Sequence, residues 1–243
     1  MLVLLPPSET KAPGGDGPPL QLDELSYPEL NPVRRKLADA LVDLAADVPA
    51  SLDALGLSPR QEDEVARNAV LWSSPTLPAL ERYTGVLYDA LDIGGFTKAQ
   101  LAKAQRRLAV ASALFGIARG DDRIPAYRLS GGTSLPSLGA LRTLWRPALE
   151  PVLAGLDELV VDLRSGAYAA LARIPGAVSV RVVTSSGKTI SHFNKAYKGR
   201  LAAALAKAPR ELSTVEGLLR VAAKAGFDVR RTGERELDLV IEP

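Results

Sequence analysis

Cysteine is missing from this chain altogether. That excludes disulfides, thiolate nucleophiles, iron–sulfur clusters and cysteine-bound zinc. Histidine occurs once, at His192, so a multi-histidine metal site within one chain is excluded as well. Only an oxygen-ligand site for a hard cation is left open, and neither a metal nor a cofactor is expected. Long apolar runs are also lacking: no stretch approaches the ~20 residues that span a bilayer. The opening MLVLLPPSETK has no basic n-region and an apolar run too short for a signal peptide. A cytoplasmic protein with no membrane partner is the expectation. The glycine signatures GxxxxGK[ST], GxGxxG and GxSxG do not occur. Ser185 to Thr189 ends in GKT but lacks the first P-loop glycine, and a strand rather than a helix is expected to follow it. His192, beside a basic helix, gives no support to a Ser–His–Asp triad.

The 243 residues suit one large domain or two small ones. No repeat, low-complexity tract or boundary divides them, so a single domain over 1–243 is expected. Net charge is only +2, but it is unevenly distributed. Residues 1–100 carry 15 acids and 8 bases, a net of −7, whereas residues 101–200 carry 6 acids and 15 bases, a net of +9. A positive middle third offers an anion-binding face. It equally offers partners for the carboxylates of the first third.

Periodicity predicts a mixed α/β architecture, with a mixed sheet surrounded by helices. Strands are expected near 2–5, 159–163, 178–183, 189–193, 227–231 and 236–241. The 178–183 and 189–193 segments read as a hairpin, as do the last two. Residues 12–31, rich in glycine and proline, fit no regular element. Helices are expected from Pro32, over 51–55, from Ser58 to about Leu71, over 76–82, from Thr97 to Ala109, over 138–156, over 195–206 and over 213–224. The helix of 138–156 places Leu141, Trp145, Leu149 and Leu153 on one face. Polar Ser8-Glu9-Thr10-Lys11 directly follows the first buried strand, and ligands of open α/β sheets bind at that edge.

The densest polar chemistry lies in 111–132, ASALFGIARGDDRIPAYRLSGG. A basic helix with Lys103, Arg106 and Arg107 runs into Leu114-Phe115-Gly116-Ile117. A hydrophobic–Gly–hydrophobic turn after a helix partly matches a helix–hairpin–helix, in which backbone N–H groups hold a DNA phosphate. Arg128 between Tyr127 and Leu129 suits an anion, or a salt bridge to Asp89, Asp122 or Asp162. Tyr88, Tyr127 and Tyr168 sit at short polar turns. Lys195, Lys198 and Arg200 suit phosphate contact or a solvated helix face.

Seven segments, in order, resemble one family. They are LPPSETK at 5–11, YTGVLYDAL at 83–91, ASALFGI at 111–117, AYRL at 126–129, Trp145, LRSGAYAAL at 163–171 and FNKAYKGRLA at 193–202. The chain thereby resembles the YaaA family of bacterial proteins associated with peroxide stress. Ala167 stands where that family has glutamate, Lys198 where it has arginine, and Arg119-Gly120 where it has Arg-Pro. The resemblance implies a single-domain α/β fold. It also implies double-stranded DNA binding without strong sequence preference, through a basic cleft with a helix–hairpin–helix-like element near 98–120. A role in limiting iron-driven oxidative damage goes with it.

Two functional readings follow. In the first, Lys103, Arg106, Arg107, Arg119, Arg123, Lys195, Lys198 and Arg200 neutralise DNA phosphates. In the second, the protein is an enzyme or a small-anion binder, and Ser8, Thr10, Tyr88, Tyr127, Arg128, Ser165, Tyr168 and Lys195 converge on a polar pocket for a nucleotide, phosphate or carboxylate. There Glu9, Lys11, Tyr127, Arg128 and Lys195 are the candidates for acid–base or anion-holding roles. A monomer is expected in either case.

Overall fold

A computed structural model describes residues 1–188 and 194–242. The chain opens with β1 (Leu2–Leu5) and a short β2 (Gly17–Pro19). Helices α1 (Asn31–Leu44), α2 (Val48–Leu55) and α3 (Glu62–Ala69) follow. Next come β3 (Pro75–Pro78), α4 (Ala79–Arg82), α5 (Val86–Leu91) and α6 (Lys98–Arg107). The middle of the chain holds β4 (Leu108–Ser112), β5 (Gly116–Arg119), β6 (Arg123–Ile124), β7 (Ser134–Leu135) and β8 (Gly139–Ala140). It continues with α7 (Leu141–Ala154), β9 (Val160–Asp162), α8 (Gly166–Ala169) and β10 (Val178–Thr184). The last elements are α9 (Asn194–Lys207), α10 (Val215–Lys224), β11 (Asp228–Arg231) and β12 (Glu236–Ile241).

Seven strands form one mixed sheet in the order β11-β12-β10-β9-β1-β4-β5. The pairs β12–β10, β10–β9, β9–β1 and β1–β4 are parallel, and β11 and β5 join the two ends antiparallel. All four residues of β1 are buried, as a central strand covered on both faces requires. The chain leaves β1 at the point where its successors pair on either side, β4 on one and β9 on the other. In open α/β sheets such a switch point leaves a crevice beyond the carboxyl ends of the strands. The expected face of α7 is buried in full: Leu141, Trp145, Leu149 and Leu153 all sit in the core.

Three expectations need correction. The segment 98–120 is a helix followed by a β-hairpin of the main sheet, not two helices around a hairpin. After α6, the chain turns at Leu108 into β4, all five residues of which are buried, and β5 returns antiparallel from Gly116. Parallel pairing with β1 outweighs the helical pattern that the alanines carry past Arg107. No second helix follows the turn before Leu141, so this turn offers no helix start to a phosphate. Residues 76–82 begin as a strand and become helical only at Ala79. The 12–31 stretch holds β2 and two 3-10 turns, at Leu22–Glu24 and Pro28–Leu30. The strand expected at 189–193, with His192, lies outside the described residues.

Candidate functional site at the carboxyl edge of the sheet

Pro6 to Lys11 leaves β1 at the switch point. The segment is held by main-chain bonds to the Arg82–Gly85 turn: Ala12 N donates to Arg82 O at 2.8 Å and Thr84 N to Thr10 O at 3.3 Å. Gly85 has φ +95 and ψ −178, a region essentially restricted to glycine. A Cβ there would stand 3.2 Å from Thr10 Oγ1 and 3.3 Å from Ser8 Oγ. Those two hydroxyls are 3.1 Å apart. Gly85 therefore lets the α5 turn come directly against the Ser8–Thr10 loop.

The loop delivers Lys11 inward, where it is 7% exposed. Its ammonium donates to Ser8 O at 3.2 Å and Glu9 O at 3.4 Å. It lies 4.2 Å from the centroid of the Tyr127 ring and 5.4 Å from that of Tyr83. Burial lowers its pKa to about 8, with Glu9 opposing the fall and Arg128 reinforcing it. Beneath it runs a chain of buried hydroxyls: Tyr83 to Tyr127 at 2.8 Å, and Tyr127 to Ser112 at the end of β4 at 2.7 Å. Burial pushes Tyr83 up to about 12 and Tyr127 well above the ordinary phenol value. Both remain neutral hydroxyls at physiological pH.

Arg128 points into this edge. Its guanidinium meets Glu9 at 3.2 Å, and its main chain is clamped by buried Asn68 of α3. Arg128 N donates to Asn68 Oδ1 at 2.8 Å and Asn68 Nδ2 to Arg128 O at 2.9 Å. One turn before Asn68, Glu64 pairs with Arg67 at 2.8 Å. The second carboxylate oxygen of Glu64 is buried with no hydrogen-bond partner among the described residues. A small cavity, about 200 Å³, opens beside Arg67 and Ala126.

The neighbouring part of the carboxyl edge comes from β9 and α9. Arg164 holds Asp162 through Nε at 2.9 Å and Nη2 at 2.8 Å. Buried Lys198 donates to Leu163 O at 3.0 Å, and burial lowers its pKa against the pull of Asp162. Gly199 lets α9 pack directly against α5, since a Cβ there would stand 2.1 Å from Leu87 O.

The pocket candidates divide in two. Tyr88, Tyr127 and Tyr168 are buried hydroxyls satisfied by protein. Tyr88 donates to Pro6 O at 2.9 Å, and Tyr168 accepts from Gly131 N at 3.1 Å. They build the floor. Ser8, Glu9, Thr10, Arg128 and Ser165 reach solvent above it, and Lys195 is exposed on the first turn of α9. Tyr83, Asn68 and Glu64 complete the site. Sequence reading did not single them out: Tyr83 opens the 83–91 segment, and Glu64 and Asn68 fall within the helix expected from Ser58 to about Leu71.

The DNA candidates spread over both ends of the sheet. Arg107 is buried and caps the end of α9 through Ala206 O at 3.0 Å and Ala208 O at 2.6 Å, with Glu211 at 3.0 Å. Arg107 and Lys198 are thus bonded inside the protein and face no duplex. Arg119 pairs with Glu158 at 3.1 Å and Arg123 with Asp16. Arg106, Lys195 and Arg200 are exposed and Lys103 half-buried. Among the described residues no three acids or histidines are grouped to hold a metal, and no helix is long and apolar enough to cross a membrane.

Residues 1–232 match the family described as Peroxide stress protein YaaA. The chain belongs to that family. A UPF0246 protein of Corynebacterium efficiens is 48% identical over 99% of this chain and all of its own length. A UPF0246 protein of Streptomyces coelicolor is 47% identical over 84% of this chain and 82% of its own. One from Corynebacterium glutamicum is 43% identical over 99% of both. The YaaA-like segments converge in space: 5–11, 83–91, 126–129 and 163–171 all meet at the carboxyl edge, and 193–202 brings Lys198 to it.

Proposed function

We propose that this peroxide stress family member binds a small anion, a phosphate or carboxylate group, at the carboxyl edge of its sheet. The observation that carries the reading is Lys11, a buried ammonium whose hydrogen bonds go to two main-chain carbonyls beside the Glu9–Arg128 pair. A desolvated cation without a bonded carboxylate is unfavourable in a structural role and useful for binding an anion. Arg128 supplies a planar fork for the ligand once Glu9 swings away. Ser8, Thr10 and Ser165 supply hydroxyls. With its pKa about 8, Lys11 is also able to take up or release a proton near neutrality. Calorimetric titration with phosphate and small carboxylates tests this. Binding by the wild type, weakened by about tenfold or more in Arg128→Gln and Lys11→Gln, is expected, as befits loss of a charge-assisted bond. No binding of either anion class, or unchanged binding by both variants, contradicts it.

A second reading, DNA binding without sequence preference, is favoured by one observation: exposed Arg106 on α6, and Lys195 and Arg200 on α9, lie on helices packed against each other. Its affinity for duplex DNA falls with salt by ~0.9 log unit per phosphate neutralised per log unit of salt. Absence of any duplex binding at low salt overturns it.

A further inference from the structure

At the opposite, amino edge of the sheet, α9 and α10 enclose a groove of about 660 Å³. Arg107, which immediately precedes β4, caps the end of α9 there. The groove is lined by Lys207 from the last turn of α9, Arg210 from the connection, and Arg220 and Lys224 from α10. The single carboxylate in its wall, Glu211, is already engaged by Arg107 at 3.0 Å and by the Met1 amine. None of the four cations is paired with a carboxylate among the described residues, so their charge stands uncompensated. Arg220 and Lys224, four residues apart, share one side of α10 as like charges, which an isolated helix disfavours. Lys207 rests over the Phe96 ring at 4.1 Å. The floor is apolar and small: Ala204, Ala208, Leu212, Val221 and Ala225. Gly217 also lines it, and a Cβ there would stand 3.3 Å from Thr214 Oγ1, 3.6 Å from Leu212 Cδ2 and 3.9 Å from Arg220 Nη2.

We propose that this groove binds a nucleoside polyphosphate. Four unpaired cations match three or four phosphate charges, where a carboxylate offers one. The two arginines present forks that fit phosphate oxygens. The volume lies in the range of sites for one small ligand, and the apolar floor accepts a base that an inorganic polyphosphate lacks. The site is separate from the carboxyl edge and shares no residue with it.

The test is isothermal titration of the full chain with ATP, with adenosine, inorganic tripolyphosphate and a short DNA duplex as comparison arms. One ATP per chain is expected, with adenosine and tripolyphosphate each weaker by about tenfold or more, the scale of a lost charge-assisted bond or of a buried base. Arg220→Glu with Lys224→Glu is expected to abolish ATP binding, and Gly217→Gln to block it with all four charges in place. Arg128→Gln, at the other edge, is expected to leave it unchanged, so failure here and failure at the carboxyl edge are distinguishable. Thermal melts establish that each variant is folded. If the charge-reversed pair does not fold, Lys207→Gln with Arg210→Gln is used and a loss of about tenfold is expected. No ATP binding overturns the proposal. So does equal binding of ATP and tripolyphosphate, unchanged binding in the groove variants, or tighter binding of the duplex that displaces ATP.

Discussion

The ammonium of Lys11 stands 4.2 Å from the centroid of the Tyr127 ring, the closest approach of a cation to the buried tyrosine pair. Holding that ammonium out of water is costly to the fold. The fall of its pKa from 10.5 to about 8 corresponds to roughly 3 kcal/mol against the charged form on folding. Lys11→Met is therefore expected to stabilise the protein at pH 7 by up to about 3 kcal/mol, as removal of a desolvated charge allows. The sign follows from proton counts. Between pH 8 and 10.5 the unfolded chain holds a proton on Lys11 that the folded chain has lost, so stability from this group rises through that window. The advantage of Lys11→Met shrinks as pH climbs from 8 to 10. Urea unfolding of both proteins at pH 7 and pH 10 measures it, and a destabilised variant at pH 7 contradicts it.

Tyr127→Phe removes a hydroxyl shared by Tyr83 and Ser112 and leaves two buried groups short of a partner. The expected loss is about 1–3 kcal/mol. In the double variant Tyr83→Phe with Tyr127→Phe the loss falls short of the sum by ~0.5–3 kcal/mol, because the two hydroxyls serve each other. Additive losses in denaturant unfolding would separate them.

Much of this was legible in the sequence. Leu2–Leu5 is an apolar run, Leu159–Leu163 is apolar but for Asp162, and Val178–Val183 alternates. Trp145 with its leucine partners kept a helical spacing. Ser8 to Lys11 was legible as a ligand-facing segment because polar residues follow a buried strand. What stayed hidden depends on distant partners. Leu108–Ser112 continues an alanine-rich helical pattern and becomes a strand only because β1 lies alongside. Asn68 looks like any polar helix residue until Arg128, sixty positions away, offers its main chain. The low pKa of Lys11 arises from burial under elements far apart in sequence, and no local pattern carries that information.

Gly85→Ala is expected to cost about 1–3 kcal/mol, since φ +95 with ψ −178 is strained for any side chain. Its added methyl also meets the Ser8 and Thr10 hydroxyls, so anion binding at the carboxyl edge weakens with it. A variant as stable as wild type in urea would show that the turn relaxes freely.

Arg82 is fully buried, and its guanidinium donates to four main-chain carbonyls: Ile124 at 3.0 Å, Gly14 at 2.8 Å, Pro75 at 3.2 Å, and Ala12. Burial lowers its pKa to about 10, yet each carbonyl depends on it. Arg82→Leu is expected to cost about 2–4 kcal/mol, tempered by the relief of a buried charge. Amide exchange over residues 12–19 quickens first. Unchanged protection there contradicts the role.

The most direct test of the account is the pH dependence of phosphate affinity, measured by calorimetry from pH 7 to 9.5 for wild type and Lys11→Gln. Lys11 is charged below its pKa of about 8, so wild-type affinity is expected to fall by about tenfold as pH rises through that value. The variant is expected to bind weakly with no step in the same range. Wild-type affinity that passes pH 8 without a step, or a variant that keeps the step, would contradict the assignment of Lys11 to the site.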